Sequence, residues 1–272
     1  MTSRGVYSFR WGRSLYHLSS VLCLLGLALW LLHKAPASWF GWSLLLRAVL
    51  IGIGSFIARS GVFGRILMSG PTARPLVALT FDDGPDPLTT PRVLDLLAQY
   101  GAQATFFVIG ERAAAQPALI ARLVEAGHQV ENHSQRHSWA TAFGPVARLV
   151  ADFSQAQQSI VDAGAAPPRF FRAPIGILSP PIIAAVQRLG LQLVGWSAKA
   201  RDGWASTTVE AALARLEPAL RPGAILLLHD GSERRSNQVM TRTTIAPEVL
   251  AQLLPLLRKR GLRSVTLDEL LG

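Results

Sequence analysis

The 272-residue chain contains one cysteine, Cys23, set inside an apolar run. Neither a disulfide framework nor a cysteine-built metal site is therefore available within one chain. Acidic residues are absent from the first 74 positions, which hold Arg4, Arg10, Arg13, Lys34, Arg47, Arg59, Arg65 and Arg74. The formal net charge of +10 belongs mainly to that segment, because 19 basic residues face 17 acidic ones from residue 75 onward. No basic stripe interleaved with aromatics occurs in the later part, which removes nucleic acid from the expected partners. A small-residue cleavage site behind a short apolar core is lacking too, and Cys23 follows Leu22 rather than a small residue. Neither a cleaved signal nor a lipoprotein site is indicated.

What the first seventy residues do contain is apolar length. The chain is 50% hydrophobic, high for a soluble enzyme. "LSSVLCLLGLALWLL" and "SWFGWSLLLRAVLIGIGSFIA" predict two membrane helices over about 15–33 and 38–58, joined by "HKAPA". Trp39 and Trp42 suit an interface. Three basic residues precede the first helix, and Arg59, Arg65 and Arg74 follow the second. The positive-inside rule then places both ends in the cytoplasm of a bacterial inner membrane, with the remainder cytosolic. Arg47 interrupts the second run, and an arginine at mid-membrane costs roughly 2.5–3.5 kcal/mol on insertion scales. If that run lies along the surface instead, the rest of the chain is periplasmic. The expected domains are a membrane-anchoring segment, 1–70, and a globular part, 75–272.

From residue 75 strand-like runs at 76–81, 104–109, 128–132, 169–172, 191–196, 224–229 and 262–266 alternate with helical stretches. Several, such as "ATFFVIG" and "AILLLHD", are near-continuous apolar runs, as parallel strands covered on both faces require. The alternation predicts an α/β fold, a distorted (β/α)7-type barrel, with a doubly wound open sheet as the competing architecture. The polar residues favour the barrel. Asp82 and Asp83, His133 and His137, Arg172, Asp202, and His229 with Asp230 all stand at or just after strand ends. In a barrel these points converge on one rim.

The chemistry follows from the residue types. His133 and His137 are spaced i, i+4, and a helical turn there would aim both imidazoles at one metal ion. Two histidines and one carboxylate, from Asp82 or Asp83, suit zinc or another divalent ion and leave room for water and substrate. Adjacent aspartates on an extended chain point to opposite sides, so their roles should differ. His128, ahead of its strand, is read as structural.

These stretches resemble the polysaccharide deacetylases with a NodB homology domain, carbohydrate esterase family 4. "TFDDGP" (80–85), "HSQRH" (133–137), "RAPIG" (172–176) and "LLH" (227–229) match four of its motifs, and "WSAKARDGW" (196–204) is a looser fifth. The resemblance covers about 75–270. It implies that Asp83, His133 and His137 bind a divalent metal, zinc first, with cobalt, manganese or nickel compatible. Asp82 is implied as general base, His229 as general acid, and Arg172 as the partner of Asp82, itself held by Asp202. A backbone N–H near Ile175 would complete an oxyanion site, and Trp196, Trp204 and Leu227 are implied to line the substrate pocket. Departures are specific. Ile175 stands where the family often has an aromatic residue, Lys199 takes a place that is commonly acidic, and Trp204 lies one position late.

The resemblance implies an N-deacetylase acting on an acylated amino sugar in a polysaccharide, peptidoglycan or lipid-linked glycan at the membrane. The alternatives are a hydrolase of the same fold that cleaves another C–N bond, such as a formamide or a cyclic amide, and a non-catalytic sugar-binding membrane protein.

Overall fold

The computed structural model describes residues 6–7, 11–204, 206–231 and 244–272. After β1 (Val6–Tyr7), two long helices form an antiparallel hairpin, α1 (Trp11–Leu31) and α2 (Ala37–Phe56). Both are long and apolar enough to cross a membrane, and each starts and ends one to four residues nearer the N-terminus than the sequence expectation. Close approach explains their glycine: a Cβ at Gly26 would meet Phe40 Cα at 3.2 Å. Arg47, the residue that interrupts the second apolar run, turns inward to α1. Its guanidinium donates to Ser20 Oγ and, at 3.1 Å, to the Tyr16 hydroxyl, and lies 4.7 Å from the Tyr16 ring centroid. A charge satisfied in this way is compatible with burial between helices in lipid.

The hairpin re-enters the globular body earlier than expected. Val62, Phe63, Ile66 and Met68 are buried in one cluster with Phe153, Phe171 and Ile182. The segment then forms β2 (Leu67–Ser69), antiparallel to β1. The globular body thus begins near residue 62, not 75, because these side chains complete its core.

Next come β3 (Leu76–Asp82), α3 (Thr90–Gln99), β4 (Ala104–Val108), α4 (Gly110–Ala115), α5 (Pro117–Glu125) and β5 (Gln129–Asn132). They are followed by α6 (Val146–Asp162), β6 (Phe170–Phe171), α7 (Pro180–Arg188), β7 (Gln192–Leu193) and β8 (Ala198–Lys199). The chain closes with α8 (Val209–Leu216), β9 (Ile225–His229), α9 (Ala246–Lys259), β10 (Arg263–Ser264) and α10 (Leu267–Leu271). The parallel sheet runs β7-β6-β5-β4-β3-β9-β8, which is chain order wrapped into a circle with a gap between β7 and β8. β2 sits at that gap, where Leu67 bridges Val194 and Ser69 bridges Ala224. The fold is the curled seven-stave barrel, and the open doubly wound sheet is excluded by this strand order.

One stave differs from expectation. The run at 262–266 does not reach the rim: β10 pairs only with the base of β3, Arg263 opposite Leu76 and Ser264 opposite Val77. Pairing of β3 with β4 starts only at Leu79, so the base of β3 is open to a short segment. The seventh stave is β8, two residues long and too short to leave an apolar run in sequence.

Period-two alternation sorts the side chains. Val77, Leu79 and Phe81 point out and join Phe106 and the buried faces of α3 and α9 in the larger core, with Phe81 and Phe106 stacked at 4.9 Å. Truncating either ring would cost about 3–5 kcal/mol. Helix α9 supplies Val249, Leu250, Leu253, Leu254 and Leu257, the stripe of an amphipathic helix. Ala78, Phe107, Phe170 and Ile225 point in and meet Val265, Leu267 and Leu270, with which α10 floors the barrel. Thr80 and Asp82 continue that inward parity toward the open rim.

Candidate active site

The rim collects the predicted residues by register. Asp82, the last residue of β3, is paired directly with His229, the last of β9. His133 follows β5 and Arg172 follows β6. All but His137 and His229 are fully or almost fully buried. Asp82, Asp83, His133, His137 and His229 line a cleft of about 280 Å³ together with Ile175, Trp196, Trp204 and Leu227, and Arg172 and Asp202 stand behind it.

The two aspartates separate as the chain changes conformation between them. Asp82 is extended, while Asp83 has φ 72, a left-handed conformation that a non-glycine residue rarely adopts. Asp82 Oδ1 accepts a hydrogen bond from Arg172 at 2.6 Å. The same nitrogen donates to Thr80 Oγ1 at 2.9 Å, and the other terminal nitrogen to the Gly195 carbonyl at 3.1 Å. The guanidinium also lies 4.1 Å from the Phe107 ring centroid. Arg172 is a buried cation fixed on three sides, whose carboxylate partner offsets its desolvation.

Asp83 turns to the histidines. Its Oδ1 is 3.4 Å from His133 Nε2 and 3.2 Å from His137 Nε2, and that buried oxygen has no hydrogen-bond partner. Burial alone would raise the Asp83 pKa, but the close approach of His133 and the other nearby imidazoles holds it well below the carboxylate range. Burial pushes His137 down to about 4, against the pull of Asp83, which keeps it in the neutral form that ligates metals. His133 Nδ1 bonds the Arg172 carbonyl at 2.9 Å, so Nδ1 carries the proton and Nε2 presents its lone pair. Burial opposes charge on His133, yet Asp82 and Asp83 outweigh it and raise its pKa.

These three residues fit a divalent ion. Bonds of about 2.0–2.2 Å to nitrogen and oxygen imply ligand-to-ligand edges of roughly 3.0–3.5 Å, which the two measured separations match. The orphaned Oδ1 is the atom such an ion would satisfy. The expected helical turn is not what joins the histidines. Residues 133–138 form an irregular loop with Ser134 at φ 68 and His137 at φ 50. It is pinned by Asn132 Oδ1 accepting the Ser134 N–H at 2.8 Å and by the first amides of α4, Gly110 and Glu111, donating to the Ser134 and Gln135 carbonyls. Unpaired amides at a helix start are the donors available for this.

Asp202 has a different partner from the one expected. It does not hold Arg172; it holds His229. Asp202 Oδ1 accepts from His229 Nδ1 at 2.9 Å, and Oδ2 accepts the His229 backbone N–H at 2.8 Å. The terminal nitrogens of Arg172 are engaged instead by Thr80, Asp82 and Gly195. Burial opposes a charge on His229, but Asp202, with help from Asp83 and Asp82, raises its pKa to about 10.

Comparison with known proteins decides the family. Residues 69–194 match the family described as polysaccharide deacetylase. The chain is 42% identical over 198 residues to a chitooligosaccharide deacetylase of Bradyrhizobium sp., covering 71% of this chain and 90% of that one. It is 37% identical over 210 residues to a peptidoglycan-N-acetylglucosamine deacetylase of Bacillus cereus, covering 76% and 93%. Among solved structures, a family 4 acetyl xylan esterase from Clostridium thermocellum, in complex with a cobalt ion, superposes with a TM-score of 0.63 at 38% identity, covering 72% and 89%. The chain belongs to the polysaccharide deacetylase family. As a member it is a hydrolase of carbon–nitrogen bonds other than peptide bonds.

Within the fold of this family, the structure adds residues that sequence reasoning missed. Trp139, 62% exposed, lines the cleft two residues after His137. Gly176 lies under Trp196, where a Cβ would meet the indole at 2.8 Å, and has φ +72. Arg112 donates to the Asp83 carbonyl, and no sequence signal pointed to it. Thr80 was recoverable, since i, i+2 spacing from Asp82 places it on the same inner face. Asp86 and Asp230 act behind the rim: Asp86 Oδ1 accepts the Leu88 and Thr89 amides, and Asp230 Oδ2 accepts from Thr90 at 2.6 Å. Burial, together with the charges of Asp83 and Asp86, raises Asp230 to about 7, against Thr90 and Arg112. His128 is structural as expected: its Nδ1 accepts the Ala104 N–H at 3.3 Å and burial lowers its pKa to about 4.

Proposed function

We propose that this protein is a divalent-metal-dependent N-deacetylase that removes an acyl group, acetyl first, from an amino sugar in a polysaccharide, peptidoglycan or lipid-linked glycan. The observation that carries this reading is the orphaned Asp83 oxygen between His133 and His137, in the same cleft as an Asp82 clamped by Arg172. Asp83, His133 and His137 hold the ion, zinc first, and cobalt, manganese or nickel suit the same donors. Bound there, a divalent ion supplies Lewis-acid activation of a water and of the acyl carbonyl.

The protein's own residues supply the proton traffic. Asp82 keeps Oδ1 on Arg172 and turns Oδ2 to the cleft, where it accepts the proton of the attacking water. Arg172 positions that carboxylate. His229 has Nδ1 engaged by Asp202, so Nε2 is the atom that delivers a proton to the leaving nitrogen as the C–N bond breaks. An imidazolium held by a buried carboxylate suits that task. Ile175, at φ 61, brings backbone to the rim where a backbone N–H can meet the developing oxyanion. Trp196, Trp204 and Leu227 form walls for the acyl group and sugar.

We read α1 and α2 as an inner-membrane hairpin that anchors the catalytic body on the cytosolic side. The acid-free, arginine-flanked segment and the satisfied Arg47 support this, and the side makes a lipid-linked sugar an accessible substrate.

Acetate release from the N-acetylglucosamine pentamer by the zinc-loaded full-length protein in detergent tests the chemistry. Asp82→Asn should keep the metal and lose at least about 10²-fold in kcat. Full activity in that variant overturns the mechanism. No acetate from wild type, with release instead from an N-formyl sugar or an acetyl ester, assigns the site to another acyl bond.

A further inference from the structure

The cleft carries more positive charge than removal of a neutral acetyl group requires. Lys199 and Arg201 line it together with the catalytic groups. They flank Ala200, which is buried in the main core, while both of them border the cleft. Each lies near an aromatic wall of the same cleft, Lys199 Nζ 5.4 Å from the Trp196 ring centroid and Arg201 5.2 Å from that of Trp204. Among the described residues neither has a carboxylate partner. The two cleft carboxylates are already committed, Asp82 to Arg172 and Asp83 to the histidines. The repulsion of Arg201 adds to burial in lowering the Lys199 pKa, so the pair is in tension. Arg201 is also held at φ 60, and left-handed non-glycine residues concentrate at functional sites.

We propose that Lys199 and Arg201 form an anion-recognising subsite on the cleft wall, so that the acylated sugar taken by this enzyme bears a phosphate or carboxylate beside its acyl group. The proposal rests on the deacetylase reading and narrows its substrate. A planar guanidinium and a mobile ammonium against indole faces bind either anion, the arginine in bidentate fashion. An unpaired positive wall also raises the capture rate of a charged substrate in a salt-dependent way.

The test uses three acetylated probes with the zinc-loaded, full-length protein: the neutral N-acetylglucosamine pentamer, polyprenyl-phosphate-linked N-acetylglucosamine, and an oligosaccharide alternating N-acetylglucosamine with glucuronic acid. The readout is the ratio of kcat/KM on each anionic probe to that on the neutral one. Wild type should favour one anionic probe at least about tenfold, and which probe wins identifies phosphate or carboxylate as the source. K199A/R201A should cut that ratio at least about tenfold, mainly through KM, and K199R should restore most of the loss from K199A. A ratio unchanged in the double variant, or a wild-type preference for the neutral pentamer, overturns the subsite. If wild type releases acetate from none of the probes, the deacetylase reading fails by itself. Calorimetric binding of the same probes then decides the subsite, with a tenfold weaker Kd in K199A/R201A expected and an equal Kd refuting it.

Discussion

Replacing Asp202 with Asn isolates the role of the carboxylate behind His229. The substitution keeps the shape of the side chain and an oxygen for the backbone N–H of His229, and removes the charge that faces Nδ1 at 2.9 Å. In the folded protein that charge is the main reason the His229 pKa rises from 6.5 to about 10, on the order of 5 kcal/mol in favour of the imidazolium. With Asn, burial is no longer outweighed and the pKa falls to the ordinary value or below. A general acid acts only while protonated, so the alkaline limb of kcat/KM moves from about 10 to 6.5 or lower. At pH about 8.5 the protonated fraction, and the rate with it, then drops about 100-fold, while the loss at pH about 5.5 is small. Stability moves with the same sign. The contribution of His229 is complete below about 6.5 and is lost as pH rises through about 10, so the variant should be destabilised most below about 6.5 and progressively less toward 10. The assay is the pH profile of acetate release from a glycan probe, wild type beside variant, both metal-loaded. Superimposable profiles, or a uniform loss at every pH, would refute the assignment of His229 as the acid held by Asp202.

Three further outcomes follow from the geometry. Asp83→Asn removes the anionic donor of the metal set, so bound zinc measured by atomic emission should fall from one per chain to a small fraction, with loss of activity. Retention of stoichiometric metal would move the site elsewhere. Gly176→Ala places a methyl 2.8 Å from the Trp196 ring at φ +72, which should cost about 1–2 kcal/mol in thermal or chemical unfolding and raise KM; an unchanged Tm would show that the indole yields freely. A reporter fused after the hairpin at residue 60 should be active only in its cytosolic form, and a periplasmic signal would sink both the assigned side and access to a cytosolic lipid-linked sugar.

Much of this architecture is legible in the sequence because its signals are local. The apolar runs of β3, β4 and β9 coincide with observed strands, and the polar residues behind them fall on one rim because parallel staves must all end there. That Asp82 and Asp83 take different roles was readable from their adjacency, but which of them faces the histidines came only from the family resemblance, and the separation itself is made by the left-handed turn at Asp83. What escaped depends on long-range closure. β8 is too short to show a period, β10 resembles a stave but meets only the base of β3, and Asp202, expected on Arg172, holds His229 once the staves are placed. The histidine pair met for a reason its spacing did not contain, namely a loop bent at Ser134 and His137 and tethered to the start of α4.

β2 gives the molecule a property that neither half has alone. The stretch that leaves the helical hairpin is also the stave filling the gap between β7 and β8, seated against Val194 and Ala224. Hairpin and barrel are therefore not modules joined by a string. A version cut loose at residue 75 would be a cask missing a plank, with the wall that carries Trp196 and Lys199 deprived of its neighbour. Conversely, strain on the hairpin of α1 and α2 has a direct mechanical route into the wall of the catalytic cleft, because no linker separates the two.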